Sequence, residues 1–278
     1  MLAGRSNVGK STLLNALIGT KVSIVTPKPQ TTRHPIRGIL HDARGQLVFV
    51  DTPGVFLGRK DRVSKALNEF VHETLDGVDA VIYVMDPSRD IGAEELYIQN
   101  LLRQTKVPVI ALINKMDLPE ADRPFTDTFR AVDVGQTQTF ELSAVNRKNL
   151  NRLVDVLFTL SQDGDAHYPD LQLTDIGHNQ WLEELVREKI FLNLNEELPY
   201  SIKVGLDELE TRPDGSRYIA ASVWTTDERY KRMIIGAKAQ MLKKIGAAAR
   251  QELEQVTGVK VFLDLTVKVD PKWQERFV

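Results

Sequence analysis

Apolar residues in the first half of the chain fall in short unbroken runs: 46–50 (QLVFV), 80–85 (AVIYVM), 107–113 (VPVIALI) and 139–142 (TFEL). Near 62–76, 92–104 and 147–160 the apolar positions instead recur three and four apart, the spacing of a helix with one buried face. Runs of this kind alternating with helices predict a mostly parallel sheet covered on both faces. Residues 36–40 (IRGIL) predict one more strand, and the turn residues of 41–45 (HDARG) fold it back on 46–50 as an antiparallel hairpin.

The period changes after residue 160. The stretch 161–175 is polar, contains Gly and Pro, and has no clear repeat. A helical pattern over 178–195 follows, then strands at 200–209 and 217–226 joined through RPDG (212–215). A helix, a short loop, a second helix to about 255 and a strand at 260–269 complete an α-β-β-α-α-β order. The chain therefore divides into an α/β domain at 1–163, a linker at 164–174 and a smaller α+β domain at 175–278. That suits 278 residues, more than one core usually serves.

Composition narrows the classes. The chain is 42% hydrophobic and 27% charged, as soluble globular proteins are. It has no cysteine, which excludes disulfides and thiolate metal sites and suits a reducing cytosol. No apolar run reaches the roughly 18 residues of a membrane span, and the start does not read as a signal peptide. The net charge of −2 is uninformative, since two domains of opposite sign could cancel.

Gly4 to Ser11 (GRSNVGKS) matches G-x-x-x-x-G-K-[ST] and runs into a helical pattern through Thr12. Between the glycines, Arg5, Ser6, Asn7 and Val8 form a loop whose N–H groups can face a phosphate, with Gly9 giving the last tight turn. Lys10 can neutralise β/γ oxygens and Ser11 can reach Mg²⁺. Asp51-Thr52-Pro53-Gly54 ends an apolar run: Asp51 can hold a water on Mg²⁺ and the Gly54 N–H can meet a γ-phosphate. Asn114-Lys115-Met116-Asp117 ends another. The Asp117 carboxylate can accept both donors of a guanine edge, a pair adenine lacks, so GTP is selected over ATP. Ser143 and Ala144 follow the next run and can close over the base through backbone N–H groups. Four motifs at strand C-termini make a nucleotide site.

Catalysis is less fixed by these residues. Val55 follows the D-x-x-G motif and can neither donate nor accept, so water must be oriented by other groups, such as the backbone of 27–34 or a cation near Asn7. Within 27–34, Thr32, or alternatively Thr31, is expected to ligate Mg²⁺. Arg33 and Arg37 read as solvated or RNA-facing rather than as arginine fingers. Lys10, Thr32 and Gly54 form the expected catalytic set. The rival reading is a non-enzymatic RNA-binding protein whose nucleotide site is structural or inactive.

Seven basic residues, Arg229, Lys231, Arg232, Lys238, Lys243, Lys244 and Arg250, occur in a stretch with no acidic one. They surround Gly236-Ala237-Lys238-Ala239, a Gly-x-x-Gly phosphate clamp with alanine in its fourth place, and Ile235 could line the adjoining groove. A fourth residue at negative φ would tolerate the methyl group, whereas one at positive φ would cost about 1 kcal/mol.

These motifs, with LVREKIFLNLNEELPYS and the closing VFLDLTVKV, sit in the order of the Era family of bacterial GTPases, which the sequence resembles along essentially its whole length. The resemblance implies a P-loop GTPase domain followed by a type II K-homology domain. It implies slow GTP hydrolysis, Mg²⁺ as cofactor, and binding of the 16S rRNA 3′ end during 30S subunit assembly and rRNA maturation. It also implies a monomeric cytoplasmic protein with peripheral association at the inner membrane face, and K⁺ at Asn7. Two departures stand out. Ala239 replaces the family's glycine, and only Met1-Leu2-Ala3 precede Gly4. The expectation is a start lying upstream, with Lys10 and its loop deprived of their anchoring strand if the chain begins here.

Overall fold

The computed structural model describes residues 1–55, 57, 62–75, 77–195 and 198–276, so position 76 of the expected helix and 277–278 of the second domain lie outside the described residues. The chain forms two compact units, Met1–Asp175 and Ile176–Val278.

In the first unit, β1 (Leu2–Ala3), α1 (Lys10–Ile18), β2 (Ile36–Asp42), β3 (Gly45–Asp51), α2 (Arg62–Leu75) and β4 (Val81–Met85) are followed by α3 (Ala93–Arg103), β5 (Val109–Ile113), α4 (Thr126–Arg130), β6 (Gln138–Glu141) and α5 (Leu150–Leu160). The sheet order is β2-β3-β1-β4-β5-β6, with β2 antiparallel to β3 and the other pairs parallel. Every residue of β4 and β5 is buried, as strands covered on both faces must be. Tyr83, Met85, Ala111 and Ile113 pack with Val71 of α2, Ile98 and Leu102 of α3 and Phe129 of α4. Helix α4 was not expected, because five residues show no helical period.

Three expectations need correction. Arg33, expected to be solvated or RNA-facing, is only 4% exposed and lies buried in the first unit. Strand β1 is only two residues long, yet it lies at the centre of the sheet: Leu2 faces Asp51 on one side and Ile82 on the other. The Ile82 N–H donates to Met1 O (2.8 Å) and the Thr52 hydroxyl to Leu2 O (2.8 Å). The loop after Ala3 is therefore anchored in the sheet. The supposed linker is also tied down. The Ile39 N–H donates to Leu173 O, the Thr174 hydroxyl to Arg37 O, and Asp175 accepts from the Arg37 backbone and guanidinium. Residues 173–175 thus run along β2 as part of the first unit.

The second unit contains α6 (His178–Asn193), β7 (Ile202–Thr211), β8 (Arg217–Thr225), α7 (Glu228–Ile235), α8 (Gln240–Thr257) and β9 (Val261–Val269). Its sheet is β7-β8-β9, antiparallel then parallel, with a bulge between Leu206 and Glu208. Leu185, Ile190 and Phe191 of α6 join Ile245 and Leu253 of α8 over Ile219 and Val223 of β8. This is the expected α+β unit of type II K-homology topology. Among the described residues no helix is long and apolar enough to cross a membrane.

Candidate functional sites

The loop from Gly4 to Gly9 owes its shape to residues without side chains at two close approaches. A Cβ on Gly4 would lie 2.5 Å from Val84 O, and one on Gly9 2.4 Å from the Asn114 amide, with φ of +155° and +100°. Asn7 also takes positive φ (67°), and its amide donates to Pro27 O (2.6 Å), joining the loop to the 27–34 segment. Lys10 opens α1. Its ammonium is buried and donates to Gly4 O and Arg5 O, both at 3.0 Å. Burial brings its pKa down to about 8, opposed by the Asp51 and Glu95 carboxylates.

At the head of α1, Ser11 Oγ donates to Asp51 Oδ2 (2.6 Å) and lies 3.0 Å from Thr32 Oγ1. Thr31 turns away to Thr26 and Lys28 O, so of the two candidates Thr32 meets Ser11. Asp51 is fully buried; burial pushes its carboxyl up, against Lys10 and the hydroxyls of Ser11, Ser23 and Thr32. Its Oδ1 is buried without a hydrogen-bond partner. Two hydroxyls and a carboxylate with an unsatisfied oxygen are the hard donors Mg²⁺ takes, so these residues fit that ion. Gly54 packs so tightly on the phosphate loop that a Cβ would sit 2.7 Å from Ser6 N. Thr52 is buried and spends its hydroxyl on Leu2 O. Val55 is 1% exposed and belongs to the core beneath β1, so its side chain is not aimed into the site.

Asn114 fastens this site to the next. Its amide donates to Val8 O (2.9 Å), and its Oδ1 accepts the Ala144 N–H (3.0 Å). Ser143 donates to Asp117 Oδ1 (2.6 Å), which orients the carboxylate expected to read guanine. Lys115, at φ 60°, places its ammonium 2.6 Å from Asp86 Oδ2. The structure thus joins Ser11, Thr32 and Asp51 at one end, and Val8, Asn114 and Ala144 with Asp117 and Ser143 beside them, by direct contacts. It adds Ser23, whose hydroxyl donates to Asp51 Oδ2 (2.9 Å), and the pair Asp86 and Arg89. Nothing in the sequence marks Ser23. Asp86 and Arg89 follow β4 at its C-terminal end, where ligand sites gather, and that position was the available signal.

In the second unit, α7 is capped by Asp227, which accepts from the Tyr230 N–H (2.9 Å). The basic residues lie on α7, α8 and their joining loop; Arg229, Arg232, Lys238, Lys243, Lys244 and Arg250 are exposed and Lys231 half-buried. None of the seven forms an ion pair among the described residues, which leaves their charge for an external anion. At Gly236 (φ 72°, ψ 173°) a Cβ would lie 2.7 Å from Met241 Cβ. Ala237 is exposed. Lys238 and Ala239 both take the left-handed conformation, at φ 48° and 59°, so of the two alternatives for the fourth position the positive φ holds. Ile235 is half-buried against the core.

Residues 1–115 match the family described as 50S ribosome-binding GTPase, and residues 197–274 match the KH domain. The GTPase Era of Halothermothrix orenii is 38% identical over 273 residues, which is 98% of this chain and 92% of the relative. The GTPase Era of Caldanaerobacter subterraneus is 39% identical over 281 residues, 99% of this chain and 92% of that relative. A crystal structure of Era with MgGDPNP and nucleotides 1506–1542 of 16S ribosomal RNA superposes with a TM-score of 0.91 at 35% identity, covering 99% of this chain and 94% of that one. A single-substitution variant of Aquifex aeolicus Era bound to GDP·AlF4⁻ gives the same score and identity. With phosphate loop, guanine motif and K-homology unit in one order and these relatives matched nearly end to end, the chain belongs to the Era family of GTPases.

Proposed function

We propose that this protein is a GTP-hydrolysing switch that binds the 3′ end of 16S rRNA and acts in assembly of the small ribosomal subunit. The observation that carries the catalytic part is the meeting of Ser11 with Thr32 and with Asp51 Oδ2, which leaves the buried Asp51 Oδ1 unsatisfied. Ser11 and Thr32 would hold Mg²⁺ directly and Asp51 through a water. Bound there, the ion would draw charge from the β- and γ-phosphates. Lys10 exchanges its two loop carbonyls for phosphate oxygens, the N–H groups of the Gly4–Thr12 loop and of Gly54 surround them, and Asp117 with Asn114, Ser143 and Ala144 holds guanine. Because Thr32 sits in the 27–34 segment, loss of the γ-phosphate removes one partner of that segment, and this couples hydrolysis to conformation.

The RNA part rests on the seven basic side chains around the 236–239 loop, whose backbone can approach a phosphate closely. The crystallised Era relative is in complex with both MgGDPNP and 16S rRNA nucleotides, which supports the pairing of the two ligands. Single-turnover hydrolysis with and without an rRNA 3′-end oligonucleotide, together with oligonucleotide affinity in GDP and in a GTP analogue, tests the proposal. Hydrolysis that needs Mg²⁺ and tighter RNA binding with the analogue are expected; RNA affinity indifferent to nucleotide would defeat it. Three finer readings belong to the same proposal. K⁺ at Asn7 predicts faster hydrolysis in potassium than in sodium. A monomer predicts one sedimenting species near 31 kDa. Cytoplasmic protein with a peripheral membrane fraction predicts release of that fraction by salt.

A further inference from the structure

The segment after β4 carries a buried carboxylate to which no role has been assigned. Asp86 is 1% exposed at its side chain and accepts from both directions. Its Oδ2 takes the Lys115 ammonium (2.6 Å) and the Arg89 guanidinium (3.1 Å); its Oδ1 takes the Ser88 hydroxyl (2.6 Å) and N–H (3.0 Å). Arg89 then extends its other nitrogen to Ser6 O in the phosphate loop (2.9 Å). A continuous chain of charged contacts thus runs from the guanine-reading turn, through one carboxylate, to the phosphate loop. A buried carboxylate is stable only when paired, and here both partners lie in or against the two halves of the nucleotide site. Lys115 adopts a positive φ that a lysine avoids unless its surroundings fix it, and Asp86 holds the end of its side chain.

The geometry points to Asp86 as a positioning residue that sets the guanine-reading turn and the phosphate loop in register, acting through Lys115 and Arg89. It touches no nucleotide itself. Burial alone would push its carboxyl up, but Lys115 and Ser88 hold it below the ordinary carboxylate range, consistent with a charge kept in use. The inference rests on the proposed guanine-nucleotide site.

The test is a double-mutant cycle on the full chain, read as GDP affinity by calorimetry and as dissociation of a fluorescent GDP analogue. Asp86→Asn should raise the GDP Kd at least tenfold, mainly through faster dissociation. In a Lys115→Met, Arg89→Leu background the same Asp86→Asn change should alter the Kd less than twofold, because its routes are already cut. A merely structural Asp86 would impose its full penalty in both backgrounds, and that result overturns the inference. Should Asp86→Asn fail to fold, Arg89→Leu alone decides, since Arg89 is partly exposed: a threefold or greater rise in GDP Kd supports the phosphate-loop link and wild-type affinity overturns it. Failure of the wild-type chain to bind GDP would instead strike the guanine-nucleotide reading itself.

Discussion

Replacing Ala239 with glycine isolates one backbone torsion. Ala239 sits at φ 59°, ψ 22°, where an L-residue with a Cβ is disfavoured by about 1–2 kcal/mol. Glycine removes that strain but loosens the unfolded chain by ~0.4–1 kcal/mol, leaving a net stabilisation of about 0.5–1 kcal/mol. The second unit offers a clean reporter, because the chain's three tryptophans, Trp181, Trp224 and Trp273, all lie within it. Urea unfolding followed by tryptophan emission should therefore show the Ala239→Gly midpoint raised by roughly 0.3–0.7 M at an m value of ~1.5 kcal/mol/M. Gly236→Ala provides the opposite sign. Its φ of 72° with ψ 173° is nearly confined to glycine, and its new methyl would strike Met241 Cβ at 2.7 Å, so a loss of about 1–3 kcal/mol is expected. RNA affinity should change less than about fivefold in Ala239→Gly, as 1 kcal/mol allows, with GTP affinity unaltered. A midpoint that falls on substitution of Ala239 by glycine would refute the left-handed assignment and with it the strain.

Four further outcomes follow from the sites. Lys10 titrates near 8 in the empty protein, so guanine-nucleotide affinity should fall by up to tenfold per unit as pH rises above about 8; its folded pKa lies below the unfolded 10.5, so its contribution to nucleotide-free stability should rise between those values, seen in pH-dependent melting. Asn114→Ala removes the bonds to Val8 O and Ala144 N–H, each worth about 1 kcal/mol, and should raise the GDP Kd by roughly 30-fold in calorimetry. Thr32→Ala should weaken the Mg²⁺ dependence of GTP-analogue binding at least tenfold, whereas Thr31→Ala should leave it in place; equal effects in a metal titration would undo the choice between them. Lys243→Glu with Lys244→Glu should weaken RNA binding in every sequence tried and reduce the slope of log K against log salt by about 2, measured by fluorescence anisotropy.

The parts of this structure that were legible from sequence are those built by residues with few alternatives. Gly4 and Gly9 stand where a Cβ would collide with Val84 O and the Asn114 amide, so the glycine spacing was itself a record of the fold. The unbroken apolar runs of β4 and β5 likewise announced strands buried on both faces. What stayed hidden depends on long-range partners. The 173–175 segment is polar and aperiodic because it pairs with β2 through Leu173 O and the side chains of Thr174 and Asp175, and such bonds leave no period. Ser23 meets Asp51 across 28 positions, and Asp86 meets Lys115 across 29. The sign of φ at Ala239 could be framed as two alternatives but not chosen, since alanine favours neither a helix start nor a left-handed turn strongly enough to announce which it occupies.

The same distinction bears on Val55, where sequence and structure support different inferences from one residue. In the chain alone, an apolar residue directly after Asp51-Thr52-Pro53-Gly54 means that water must be oriented by other groups, with an inactive site as the rival reading. In the fold, Val55 donates its N–H to Gly4 O, bridges Arg5, and buries its side chain with Ala3, Val71 and Tyr83. Its isopropyl group contributes to the packing under the phosphate loop, roughly 1.5–3 kcal/mol for full burial, and a glutamine in its place would leave an unpaired amide in that core. The position therefore serves the packing beneath the phosphate loop. On the proposed function, orientation of the attacking water would fall to groups near Ser11 and Asp51, the backbone of 27–34 around Thr32 first among them. Val55→Ala should on this view lower stability and loosen nucleotide binding together. Val55→Gln should not accelerate hydrolysis, and a faster rate in single-turnover assays would show that the side chain can reach the reacting water after all.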